Sequence, residues 1–114
     1  MKILYLEDNQ QEAALVSRYL RTTPHEFRIV ANLDEARNAV GEAPELIFVD
    51  LVIGPTRDGY TFIQELRAEG RQQRIVVITG LNTPRELEKC RQMGVDDILV
   101  KPFTMEKLAQ LIEQ

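Results

Sequence analysis

Leu46-Ile47-Phe48-Val49-Asp50-Leu51 is the stretch that decides the fold. Four consecutive apolar residues, three of them β-branched or aromatic, read as a strand buried on both faces, which places it inside a parallel sheet covered on two sides. The strand ends on a carboxylate, and the residues after it are Leu51, Val52 and Ile53, with Gly54-Pro55 only later. A charge at the mouth of a buried strand is costly unless other groups offset it. The remaining chain is therefore read for those groups.

Working outward, the pattern alternates. Ile3 to Leu6 is a short apolar strand ending at Glu7-Asp8, and Asn9 with Glu12 three residues later reads as a capping box opening a helix. Leu15, Val16, Tyr19 and Leu20 recur at helical spacing, and Thr22-Thr23-Pro24 closes that helix. Phe27 to Ala31 is a more polar strand, as suits a sheet edge. Asn32 with Glu35 repeats the capping signal before a helical stripe of Leu33, Ala36 and Val40 that stops at Gly41.

Beyond the deciding strand, Asp58 is expected to cap a helix carrying Tyr60, Phe62, Ile63 and Leu66, closed by Gly70. Arg71 to Arg74 reads as a polar link. Ile75 to Ile78 is a second fully apolar strand and ends on Thr79. Thr83-Pro84 opens a helix as N-cap and first turn, with Glu86 behind it, Leu87, Cys90 and Met93 facing inward, and Gly94 as its stop. Ile98 to Val100 is a short strand ending on Lys101-Pro102, and Thr104 caps a last helix with Leu108, Leu111 and Ile112 as its buried stripe. Five strands alternating with five helices predict an α/β, doubly wound, five-stranded parallel sheet with right-handed crossovers. At 114 residues the chain reads as one domain, 1–114.

Charge and composition narrow the function. A net charge of -4 argues against a nucleic-acid surface. No apolar run approaches the ~20 residues of a membrane span, and Met1-Lys2 leads directly into a strand, so neither membrane insertion nor a signal peptide is expected. The single cysteine, Cys90, makes no internal disulfide and fits a reducing cytoplasm.

In an open parallel sheet, ligands bind outside the carboxyl ends of the strands. The first strand ends in Glu7-Asp8, the third in Asp50, the fourth in Thr79 and the fifth in Lys101. Three carboxylates in one pocket repel and need a compensating cation. Lys101 is one; a hard divalent ion, Mg²⁺ (or Mn²⁺), suits the carboxylates together with phosphate oxygens. A threonine hydroxyl and a lysine suit a phosphoryl group, and an aspartate can itself be the nucleophile, forming an aspartyl phosphate.

With these residues in this order, the chain resembles the receiver domain of two-component response regulators, chemotaxis-regulator-like, over Met1 to Gln114. The motifs are Glu7-Asp8, Asp50 after an apolar strand, Asp58-Gly59, Thr79 after Ile75 to Ile78, and Lys101-Pro102-Phe103. The resemblance implies a flavodoxin-like (βα)5 fold and a phosphoacceptor role for Asp50, supplied by a histidine kinase or phosphotransfer protein. It implies Mg²⁺ held by Asp8, Asp50 and the backbone carbonyl of Val52, with Glu7 acting through water. Thr79 and Lys101 would hold phosphoryl oxygens, and the Lys101-Pro102 bond would be cis, a state of only ~5–6% of X-Pro bonds. Output would pass to a protein partner or effector domain through the face of helix four, strand five and helix five. Such a chain is no enzyme beyond its own phosphorylation and slow dephosphorylation, and it would be either free-standing or the first domain of a longer regulator.

Two departures accompany the resemblance. Seven residues, Leu51 to Arg57, separate Asp50 from Asp58, one more than in many receivers, and Gly54 is expected to take a conformation that other residues avoid. Ile98 stands where receivers usually carry the aromatic partner of the threonine. Val52 and Leu81, flanking the expected phosphate, are apolar and cannot orient water. Two rival readings are a receiver-like interaction module that is never phosphorylated, and a phosphohydrolase working through an aspartyl phosphate. The second is disfavoured because Val52 occupies the position where such enzymes carry an acid/base aspartate. His25 reads as an exposed bystander, Cys90 as core, and Arg71 to Arg74 as solvated.

Overall fold

In the computed structural model, which describes residues 1–114, β1 (Lys2–Leu6), α1 (Gln10–Leu20), β2 (Glu26–Val30), α2 (Leu33–Val40), β3 (Leu46–Val49), α3 (Asp58–Ala68), β4 (Arg74–Thr79), α4 (Pro84–Gln92), β5 (Asp97–Val100) and α5 (Met105–Glu113) follow in strict alternation. All four strand pairings are parallel, in the order β2-β1-β3-β4-β5. The doubly wound parallel sheet is the one that the alternation predicts, and its flavodoxin-like (βα)5 form is the one that the resemblance implies. β2 lies at an edge, and β1, β3, β4 and β5 lie side by side.

The period-2 alternation of strand side chains splits the core into two. Leu4, Leu6, Ile47, Val49, Ile75 and Val77 point to one face, where α2, α3 and Cys90 of α4 cover them. Ile3, Tyr5, Leu46, Phe48, Val76 and Ile78 point to the other, where α1 and α5 cover them with Val16, Leu20, Leu108, Leu111 and Ile112. Residues Leu46 to Val49 are fully enclosed, as a strand apolar on both faces requires.

Several local expectations need correcting. Leu15 is 54% exposed and belongs to the outer face of α1, because Val16 and Leu20 already fill the contact with the sheet. Asp58 is the first helical residue rather than the cap; Arg57 holds the cap position and makes no side-chain cap bond. Arg74 begins β4 instead of ending a link, and its guanidinium donates to the Leu111 carbonyl and to Gln114. His25 is no bystander: Nδ1 lies 3.0 Å from the Met1 amino group and Nε2 lies 3.6 Å from Glu113, joining the start of β1 to the end of α5. Arg67 is a further staple, donating to the carbonyls of Gly94, Arg71 and Gln73.

Candidate functional site

The strand order reverses between β1 and β3, so the loops leaving their carboxyl ends diverge to opposite faces and open a crevice. Glu7 and Asp8 follow β1, Asp50 follows β3, Thr79 ends β4 and Lys101 follows β5. All five predicted side chains thus gather at one edge of four adjacent strands. Carboxylate oxygens of Glu7, Asp8 and Asp50 lie within 4.8 Å of one another.

Lys101 closes the cluster. Its Nζ donates at 2.9 Å to Glu7 Oε2 and at 2.9 Å to Asp50 Oδ2, and it donates to Glu12 as well. Burial pulls the Lys101 ammonium down, but hydrogen bonds to Glu12, Glu7 and Asp50 outweigh it and leave the group above the ordinary lysine value. Burial pushes Glu7 above the usual carboxylate range, against the opposing pull of Lys101 and the Asn9 amide. Burial, reinforced by Glu7, also keeps the Tyr5 phenol well above its ordinary value, so it stays a donor, 3.0 Å from Glu7 Oε2.

The loop after Asp50 is built to aim the carboxylate. Asp50 Oδ1 accepts the Val52 amide at 3.2 Å. Ile53 and Thr56 exchange backbone hydrogen bonds at 2.9 and 3.1 Å, with Gly54-Pro55 at the tip. Gly54 has φ of 58°, so a positive φ at the first corner followed by proline gives the II′ type of reversal. The additional residue is absorbed in this tight turn, and Gly54 takes the conformation expected of it. The Gly54 amide then donates at 2.6 Å to Asp8 Oδ2, tying the turn to the end of β1.

Thr79 is fully buried, and its hydroxyl oxygen accepts the Leu81 amide at 2.9 Å, leaving its proton to donate elsewhere. The Lys101-Pro102 peptide is cis, as expected. Ile98 packs, half-buried, against the core on the α3 and α4 side of the sheet. Across that side, the Tyr60 hydroxyl donates to Glu86 of α4, and Lys89 Nζ lies 4.3 Å from the Tyr60 ring centroid.

Glu12 was not expected here, since its spacing from Asn9 suggested a capping partner. The Asn9 amide is instead taken by Glu7 Oε1 at 3.0 Å, which frees Glu12 to reach Lys101. Nothing in the local spacing marked this, because Glu12 sits on the first turn of α1 and its partner Lys101 is 89 residues away in the chain. Three carboxylates contact the Lys101 ammonium and Asp8 lies beside two of them, so the cluster carries three net negative charges when all are ionised. An oxygen-only donor set with that excess fits a hard divalent cation such as Mg²⁺.

A family model for the response regulator receiver domain matches residues 3–113. Among curated relatives, the transcriptional regulatory protein RprY of Bacteroides fragilis is 27% identical over 99% of this chain and 48% of its own length. The transcriptional regulatory protein PcoR of Escherichia coli is 31% identical over 94% of this chain and 47% of its own. The chain spans 30–48% of the length of the curated relatives it matches first. Among solved structures, the beryllofluoride-activated receiver domain of Klebsiella pneumoniae RstA superposes with a TM-score of 0.90 at 25% identity, covering 99% of this chain and 96% of that one. The receiver domain of the Pseudomonas aeruginosa sensor histidine kinase PA1611 gives a TM-score of 0.85 at 29% identity over 98% and 93% of the two chains; that structure holds a magnesium ion in its active-site cleft.

Proposed function

The chain belongs to the response regulator receiver domain family, and on that premise we propose that residues 1–114 form one receiver domain whose Asp50 is the phosphoacceptor of a two-component relay. The observation that carries this is the convergence of Asp50 with Glu7, Asp8 and Lys101, with Lys101 Nζ 2.9 Å from the Asp50 carboxylate. Asp50 attacks the donor phosphorus through a carboxylate oxygen. The bond from phosphorus to the donor histidine nitrogen breaks, and the donor leaves with that electron pair. Lys101 and the Thr79 hydroxyl meet the charge on the transferring oxygens.

Asp8, Asp50 and the Val52 carbonyl are the ligands we assign to Mg²⁺, with Glu7 acting through water; bound there, the ion neutralises carboxylate and phosphoryl charge. The domain catalyses only its own phosphorylation and a slow dephosphorylation. Its donor is a histidine kinase or phosphotransfer protein in the cytoplasm, and its output passes through α4, β5 and α5 to a protein partner or effector domain. No helix is long and apolar enough to cross a membrane. Incubation with Mg²⁺ and acetyl phosphate, followed by intact-mass measurement, tests the reading. One added phosphoryl group, lost in Asp50→Ala, is expected; no addition, or addition that survives the substitution, overturns it.

A further inference from the structure

We propose that Glu12 is a displaceable positioning residue that occupies Lys101 in the resting domain and must release it when a phosphoryl group arrives. The inference rests on the phosphoacceptor reading of Asp50 and deepens it. A lysine ammonium has three protons to donate. All three are engaged, by Glu7, Glu12 and Asp50. An incoming phosphoryl oxygen can bind Lys101 only where one of these partners withdraws.

Glu7 cannot be the one. Its side chain is fully buried and is held by the Tyr5 hydroxyl at 3.0 Å and the Asn9 amide at 3.0 Å. Asp50 is the acceptor and stays in place to receive the group. Glu12 differs from both. Its side chain is 36% exposed, its carboxylate has no hydrogen-bond partner besides Lys101, and it stands on the first turn of α1 beside open solvent. Released, it hydrates at little cost, whereas Glu7 would leave a charge stranded in the interior.

Occupation of Lys101 by Glu12 therefore competes with phosphoryl binding, and phosphorylation unties α1 from the end of β5. The contact also accounts for the absence of a complete capping box at Asn9, since the glutamate that would close it faces Lys101 instead.

The test is the rate of acetyl phosphate labelling of the full chain with Mg²⁺, together with the half-saturating concentration of beryllofluoride. Both are compared for wild type, Glu12→Ala, Glu12→Gln and Glu12→Asp. Alanine is expected to label about two- to fivefold faster and to bind beryllofluoride tighter by the same factor, the range set by an exposed ion pair, with an unchanged melting midpoint. Glutamine falls between alanine and wild type. Aspartate keeps the charge but withdraws the carboxylate by roughly 1.5 Å, one carbon–carbon bond, and is expected to match alanine. Alanine no faster than wild type overturns the proposal. So does aspartate indistinguishable from wild type, since that result assigns the effect to net charge rather than to the contact. Wild type labelled at Asp50 with no acceleration in the variants removes only the role of Glu12; absence of label in every protein removes the phosphoacceptor reading with it.

Discussion

Gly59 sits directly against the main chain of Asp50. A Cβ at Gly59 would lie 2.0 Å from the Asp50 carbonyl oxygen and 2.6 Å from Leu51 Cα. The first turn of α3 therefore abuts the backbone that carries Asp50, and only glycine permits the approach. Backbone cannot yield as a flexible side chain would, so Gly59→Ala is expected to destabilise the domain by about 3 kcal/mol, the upper range for overpacking. It should also slow Asp50 labelling. Urea unfolding and intact mass measure the two, and a variant as stable and as reactive as wild type would contradict the relationship.

Lys101 offsets three carboxylates. Lys101→Met keeps the aliphatic stem but leaves Glu7 and Asp50 unpaired beneath the surface. Loss of about 3 kcal/mol at neutral pH is expected, the low end for breaking a buried pair. Adding Asp50→Asn should restore part of that loss, because it removes one of the repelling charges. Denaturant titration of the single and double variants reads this coupling, and strictly additive losses would refute it.

Metal binding should stabilise the folded state alone, because the ligands meet only there. Mg²⁺ at a hundred times its dissociation constant is expected to add about 2.7 kcal/mol. Asp8→Asn with Asp50→Asn should abolish the gain. The melting midpoint with and without Mg²⁺ measures it. An equal gain in the double variant would place the ion elsewhere.

Tyr60 and Glu86 give a pH signature away from the Asp50 cluster. The Tyr60 hydroxyl, with help from Arg57, holds Glu86 below the usual carboxylate range. A carboxyl lowered in the folded state stabilises the fold above its unfolded value, and the contribution is lost as pH falls through the lowered one. The gap in melting midpoint between wild type and Tyr60→Phe should thus be constant from pH 7 to 6 and shrink below about pH 4. A gap unchanged at pH 3 would argue against the assignment.

Val52 and Leu81 bear on the lifetime of the phosphorylated state. Neither side chain can position water, so dephosphorylation is expected to be slow and to accelerate severalfold in Val52→Asn or Leu81→Asn. Phosphoryl half-life, followed by mass, decides this; an unchanged half-life in both variants counts against it.

Local chemistry determined most of the fold. Runs such as Leu46 to Val49 and Ile75 to Ile78 are apolar on both faces, which demands helices above and below, and alternation with capped helices leaves a parallel doubly wound sheet as the solution. That the candidate residues would gather was legible for the same reason, because strand ends in such a sheet converge and Glu7, Asp8, Asp50, Thr79 and Lys101 each end or follow a strand. Tertiary structure decided what depends on competition between partners distant in sequence. Whether Glu12 caps Asn9 or binds Lys101 depends on Glu7 having already taken the Asn9 amide. Whether Gly59 merely follows an aspartate or supports Asp50 depends on how closely α3 approaches β3. His25 joins Met1 and Glu113 only once β1, β2 and α5 are assembled. Periodicity and capping act within a few residues and can be read along the chain, whereas a shared donor is allotted only when its rival acceptors are brought together in space.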